Sequence, residues 1–350
     1  YILVYYASCY AGIRVNETFN HAVEETLFEM GGREEASVFH SGRKLPAMHA
    51  AFLNAVYSHG ADMDDGNRKA MGHVAAHVMS AVFALAETME VSGEEILVAI
   101  NAGYEVYNRI AAAVQPGLVR RGFHSTGTAG AVACSAAAAK LMGLSEQQIY
   151  NAISLGAIQA SGLMIITESA QACKPINPAN AARTGILSAK LAARGIESSA
   201  DPLESKKGWF HAMSDSVEES AVLEGLGEVY TICESYLKPY PSCRHTHCGI
   251  EGAIRIRQQL LQQYGAIPVD AVDGIDVYIY RNAIQIAGQI HLPKTAEESK
   301  FSIHYSLAVA LLKGGFGLQD LPVEHVDADI KTLVEKIRLI EEESMENRAE

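Results

Sequence analysis

Apolar residues recur at three- and four-residue intervals over much of the first two thirds of the chain, and this spacing predicts helices. Residues 1–30 follow that rhythm, with Glu24, Glu25 and Glu29 on the face left to water. From 74 to about 200 the pattern becomes a succession of alanine-rich helices with clear punctuation. Ser92-Gly-Glu-Glu95 has the form of a capping box, in which serine and a glutamate three residues on satisfy each other's backbone N–H groups, and it opens a helix through Ile110. Ser145-Glu-Gln-Gln148 opens another, after a Gly143 that suits the end of its predecessor. Residues 128–142 are nearly all small, so neighbouring helices can approach along most of that helix, which places it in the middle of a bundle. The helices expected over 146–163 and 178–194 keep this character, and the sum is one layered all-helical domain.

The texture changes near residue 230. A helical stretch to about 264 follows Tyr236-Leu-Lys-Pro-Tyr-Pro241, and Ile275-Asp-Val-Tyr-Ile-Tyr280 then alternates in strand fashion. The tail, 327–350, reads as a charged amphipathic helix with no closing strand. The expected fold is therefore mainly α: a large all-helical domain over 1–234 and a smaller α/β (α+β) domain over 235–350. Within the latter, the helical segment near 301–313 is placed so that packing back on the large domain stays open.

Composition narrows the function more than the fold. Of the 350 residues, 49% are hydrophobic and 20% charged, as in ordinary globular proteins of one or two cores. The formal charge of -13 argues against nucleic acid or an anionic membrane as partner, because both need a basic patch. An anionic small substrate needs only local convergence of a few cations. The six cysteines form no CxxC pairs, which points to reduced thiols and a cytoplasmic setting. No apolar run has the roughly 18 to 20 residues needed to span a bilayer.

Chemistry concentrates in five stretches. Tyr57 to His77 holds Asp62, Asp64 and Asp65 within four positions, together with His59, His73 and His77. Carboxylates so near one another raise each other's pKa, which is one way to tune an acid or base, but Asp-Gly-Asn is also ordinary turn chemistry. His73 and His77 are spaced to share a helix face, yet Val74 stands where a zincin motif has glutamate. Gly122-Phe-His-Ser-Thr-Gly-Thr-Ala-Gly130 sets His124 at a helix N-terminus, where an anion and a neutral imidazole are both favoured, with Ser125 or Thr126 as the alternative reading of a simple cap. Lys174 lies in an otherwise uncharged stretch stiffened by Pro175 and Pro178. Lys238-Pro-Tyr-Pro-Ser-Cys-Arg-His-Thr-His247 offers cations, a thiol and two imidazoles, and Cys243, His245, His247 and Cys248 match no standard metal spacing. Lys300-Phe-Ser-Ile-His-Tyr305 adds a phenol. The chain has no nucleophile elbow, Walker loop or dinucleotide fingerprint, so hydrolase, NTPase and Rossmann readings are poor.

Taken in order, HGADMDD, GFHSTGTAG, the Lys174 loop, KPYPSCRHTH and KFSIHY resemble the MmgE/PrpD family, which includes 2-methylcitrate dehydratases, cis-aconitate decarboxylase and iminodisuccinate epimerase. The resemblance runs from about Ala11 to Phe316. It implies a helical domain with a smaller α/β lid, a homodimer, and catalysis without metal or organic cofactor. It also implies catalytic roles for Asp62, His73, His124, Cys243 and Tyr305, with Lys174, Lys238, Arg244 and His245 holding a small di- or tricarboxylate. The decarboxylase carries histidine where Cys243 stands, which favours a 2-methylcitrate dehydratase-like hydro-lyase, then a substituted-succinate epimerase. Gly66-Asn-Arg68 and His73-Val-Ala75 depart from the family pattern, and on that account a catalytically silent binding homologue is the third expectation.

Overall fold

Small side chains decide where the helices of this protein touch. The computed structural model describes residues 1–167 and 171–348. They fall into two units, one formed by Tyr1–Gly60, Asp64–Ile166 and Cys173–Leu237, the other chiefly by Ala61–Met63 and the chain from Lys238 onward. The protein is mainly helical, with a smaller α/β region.

The longer helices of the first unit are α1 (Ile2–Ile13), α2 (Glu17–Met30), α3 (Ala47–Gly60), α4 (Ala75–Ala86), α5 (Gly93–Ala113), α6 (Ser125–Leu141), α7 (Glu146–Ile158) and α8 (Ile176–Ala193). A short antiparallel pair, β1 (Ala36–Ser37) and β2 (Lys44–Leu45), lies between α2 and α3 in the chain. Helix α6 is buried over nearly all its length and packs against α4, α5, α7 and α8. Its glycines and alanines permit this. On α8, a Cβ added to Gly185 would stand 2.2 Å from that of Cys134 on α6, a distance no side chain tolerates. Both capping boxes form, at Ser92 with Glu95 and at Ser145 with Gln148. Helix α7 stops at Ile158, short of 163, where the chain turns toward Gly162 at a φ of +128°. Helix α8 begins at Ile176, so Pro178 occupies its first turn, where the missing N–H costs nothing.

The second unit contains α9 (His247–Tyr264), α10 (Ile303–Lys313) and α11 (Ala328–Lys336), with α10 packed on both others. Strands β3 (Ile275–Ile279) and β4 (Ile337–Glu341) pair in parallel, with Ile275 opposite Ile337. This corrects the expectation for the tail. Its helix ends at Lys336 and a strand does close the unit, because Ile337, Leu339 and Ile340 supply β-compatible side chains while Arg338 reaches across to Asp276 at 2.7 Å. The last two residues of that tail lie outside the described residues. No described helix is long and apolar enough to cross a membrane.

Candidate functional site

The three neighbouring aspartates are buried and each has a different task. Asp65, at the end of the Asp62–Asp65 run, accepts hydrogen bonds from the Val74 and Ala75 N–H groups at 3.2 and 2.9 Å and so caps α4 from ten residues away. The Tyr104 hydroxyl donates to its other oxygen at 2.6 Å. Burial pushes the Asp65 pKa up to about 6 despite these bonds, with the Asp64 charge adding to the rise. Its role is architectural.

Asp64 faces imidazoles. His59, at the C-terminal end of α3, donates from Nδ1 to Asp64 Oδ2 at 2.7 Å, and both side chains are sealed from solvent. The His73 Nδ1 lies 3.5 Å from the other Asp64 oxygen and 2.7 Å from the Asp65 carbonyl oxygen. The His59 ring centroid is 4.9 Å from that of His73 and 6.3 Å from that of His124. Three imidazoles and one carboxylate thus gather in the helical unit. His59 belongs to the histidine-rich stretch that the sequence picks out, but nothing in the sequence alone assigns it this contact with Asp64.

The segment between Asp65 and His73 is tied to the start of α6. Ser125 donates to the Ala70 carbonyl at 2.9 Å, and the Thr126 hydroxyl accepts from the His73 N–H at 3.2 Å. Neither is therefore the cap of α6, contrary to one expectation: their hydroxyls are taken up by the neighbouring loop, and His124 occupies the cap position with no side-chain cap bond. Gly72 is required here, because a Cβ would meet the Tyr107 hydroxyl at 2.0 Å and Ser125 Oγ at 2.4 Å. Residues 70–73 of the altered 66–75 segment are thus held against the start of α6. His124 is buried, its N–H bonded to the Gly162 carbonyl at 3.0 Å and its Nδ1 set 3.0 Å from Asn177 Nδ2 on α8. Lys174 is half-buried one turn before that residue.

His77 does not join this group. It lies inside α4 while His73 precedes the helix, so the two do not share a helical face as the spacing suggested. Its Nδ1 meets Cys134 Sγ at 3.4 Å, its ring packs on Tyr107, and burial lowers its pKa to about 3.

The second unit gathers cations. Lys238 is buried and donates to Asp62 Oδ1 at 2.9 Å and to the Asp62 carbonyl at 3.1 Å. Asp62 itself is buried with a φ of +53°. Half-buried Cys243 donates its N–H to the Lys300 carbonyl, and Arg244 and His245 follow in the short turn before α9. The His245 Nδ1 makes a short hydrogen bond with the Tyr280 hydroxyl. Burial, then the positive charges of Lys238 and Arg244, lower the His245 pKa to about 4. His247 turns away, donating to the Ser242 carbonyl at 3.2 Å, and Cys248 is exposed, so among the described residues no Cys/His metal set assembles there. Tyr305 is buried near the start of α10 and donates its hydroxyl to the Asp320 carbonyl at 2.8 Å.

Metal-ligand types do meet in the first unit, where His59, Asp64 and His73 bring ligand atoms within 4.8 Å of one another. Both Nδ1 atoms already donate to oxygen, which makes the group a hydrogen-bonded cluster as it stands. Chemically, such a cluster holds imidazoles in defined tautomers and compensates their charge when a proton arrives.

Residues 1–220 match the model of the MmgE/PrpD N-terminal domain and residues 240–350 that of the MmgE/PrpD C-terminal domain. Curated relatives include a cis-aconitate decarboxylase of Homo sapiens, 27% identical over 309 residues that make up 85% of this chain and 62% of that protein. Another, of Aspergillus terreus, is 27% identical over 321 residues, 87% of this chain and 65% of that protein. A cis-aconitate decarboxylase-like protein of Aspergillus oryzae is 26% identical over 318 residues, 86% and 66% of the two chains. The chain spans a little under two thirds of the length of these relatives.

Proposed function

The chain belongs to the MmgE/PrpD family, and on that premise we propose that it is a lyase acting beside a carboxylate of a small di- or tricarboxylic acid. The observation that carries this reading is the cluster of buried His59 and Asp64 with half-buried His73, and His124 beside it. A proton next to a carboxylate is weakly acidic, so its removal needs a base and compensation of the charge that develops on the carboxylate oxygens. Histidines are assigned to proton handling, and Lys174, Arg244 and His245 to the substrate's carboxylates. Lys238, engaged with Asp62, is assigned to setting the charge of that aspartate. Cys243 is preferred to Tyr305 for the second proton transfer, because the Tyr305 hydroxyl is committed to a backbone carbonyl.

Within this class we assign dehydration of a 2-hydroxy acid, 2-methylcitrate dehydratase-like, on the presence of cysteine at 243. Decarboxylation is the second reading, favoured by relatives that are cis-aconitate decarboxylases. The same reading carries a homodimer in a cytoplasmic setting. Incubation with 2-hydroxy di- and tricarboxylates should produce an ultraviolet-absorbing alkene without carbon dioxide, whereas cis-aconitate should release none. Carbon dioxide release transfers the assignment to decarboxylase. Solvent deuterium uptake without loss of mass transfers it to epimerase, and binding without either leaves a silent homologue.

A further inference from the structure

Hydrogen bonding within the helical unit distinguishes imidazoles that the family resemblance treats alike. The His73 Nδ1 lies 2.7 Å from the Asp65 carbonyl oxygen, which can only accept, so Nδ1 carries hydrogen and Nε2 is the basic nitrogen of the neutral ring. His59 is held the same way by Asp64.

His124 is arranged in the opposite sense. Asn177 Nδ2 lies 3.0 Å from His124 Nδ1 and 3.3 Å from the Leu163 carbonyl oxygen. Because that carbonyl accepts and never donates, the NH2 end of the Asn177 amide is the one that faces both atoms. The His124 Nδ1 therefore accepts, and its hydrogen sits on Nε2. An imidazolium would set two donors against each other at 3.0 Å, so this contact also favours the neutral ring. The mounting is firm: Met164 donates to the Gly122 carbonyl at 2.8 Å, and His124 to that of Gly162 at 3.0 Å, so the segments on either side of the contact are joined by backbone.

We propose that Asn177 is a positioning residue that keeps His124 as a neutral Nε2–H donor, so that His73 accepts the proton from carbon while His124 hydrogen-bonds the charge that results. In this step the C–H bond beside the carboxylate breaks and its electron pair passes into the carboxylate as an enediolate. The proton goes to His73 Nε2, and His124 keeps its own. A neutral imidazole serves here because it stabilises an oxyanion without having to release a proton. The catalytic half of this proposal rests on the lyase reading; the tautomers do not.

The test uses the full chain labelled with nitrogen-15 histidine, with long-range proton–nitrogen correlation spectra assigned through His124→Gln and His73→Gln. His124 is expected as the Nε2–H tautomer and His73 as Nδ1–H. In Asn177→Asp a carboxylate, which only accepts, should draw the His124 hydrogen to Nδ1. The kcat for carboxylate turnover should then fall by roughly 10²- to 10³-fold with KM within about threefold. An Nδ1–H tautomer of His124 in the unaltered chain overturns the proposal, as does a folded Asn177→Asp with unchanged kcat. A chain that turns over no carboxylate sinks the lyase reading and with it the step at carbon, while the spectra still decide what Asn177 does to His124.

Discussion

Asp62 and Asp64 stand two positions apart in the chain and are both buried, yet they are neutralised by different means. In the second unit Asp62 faces the ammonium of Lys238, and Glu297 likewise faces Lys300 at 2.6 Å. In the first unit Asp64 faces the imidazole of His59. An ammonium remains charged through the physiological range, whereas an imidazole exchanges its proton there. The lesson is that the same buried acid is matched with a permanently charged partner in one region and with an imidazole, which can be neutral or charged, in the other.

That contrast can be broken at its stronger end first. Lys238→Ala leaves a buried carboxylate without its ammonium and should cost about 3 to 5 kcal/mol, read as a fall in the denaturant midpoint. If the loss is under about 1 kcal/mol, Lys238 is not the charge match described.

Acid should come next. Burial lowers the pKa of His77 to about 3, and that of His304 to about 4, like His245, while His247 falls to about 3. Between the ordinary value of 6.5 and these folded values the unfolded chain binds protons that the folded chain refuses, so stability is lost as pH falls. For His77 alone this amounts to about 2 kcal/mol between pH 6.5 and 5. Asp65 works the other way: its pKa is raised to about 6, so the folded chain keeps a proton the unfolded chain has released, and stability is gained as pH falls through that value. The histidines outnumber it, and unfolding midpoints at pH 7, 6 and 5 should decline in that order. In His77→Gln the decline should be shallower.

His59→Asn, whose amide nitrogen falls where the imidazole Nδ1 lies, sharpens the other side of the contrast. An amide still donates to Asp64 but cannot take up a proton, so the stability cost should be modest, about 1 to 2 kcal/mol, while turnover falls far more. Equal loss of stability in His59→Asn and Lys238→Ala would erase the distinction between the two acids. At the small end, Lys69 and Glu234 pair at 3.1 Å on an exposed surface. Removing Lys69 should change stability by less than about 0.5 kcal/mol, which calibrates what burial adds to the other pairs.

Much of the architecture was legible because it is written locally. The serines at 92 and 145 mark their helices through side chains three residues on, and the small residues of α6 announce a crowded neighbourhood without naming the neighbours. Strand β4 was not legible. Its partner lies about sixty residues earlier, and Lys336 to Glu343 has the charge pattern of a helix, so only the pairing with β3 reveals it. Among the candidate residues, the five stretches were visible as clusters of unusual residues. What escaped were the pairings: Asp65 as the cap of a helix that starts ten residues later, His59 as the companion of Asp64, and Asn177 as the companion of His124. Asn177 lay in a stretch that drew attention to its lysine, and nothing in one dimension says which end of an amide meets which ring nitrogen.

The crowding of α6 has a practical corollary. A helix of 17 residues that admits no extra methyl group at its crossing with α8 behaves as a stiff rod about 25 Å long, with His124 mounted on its tip. A bulky replacement near Cys134 should tilt that tip and shift His124 without touching its ring.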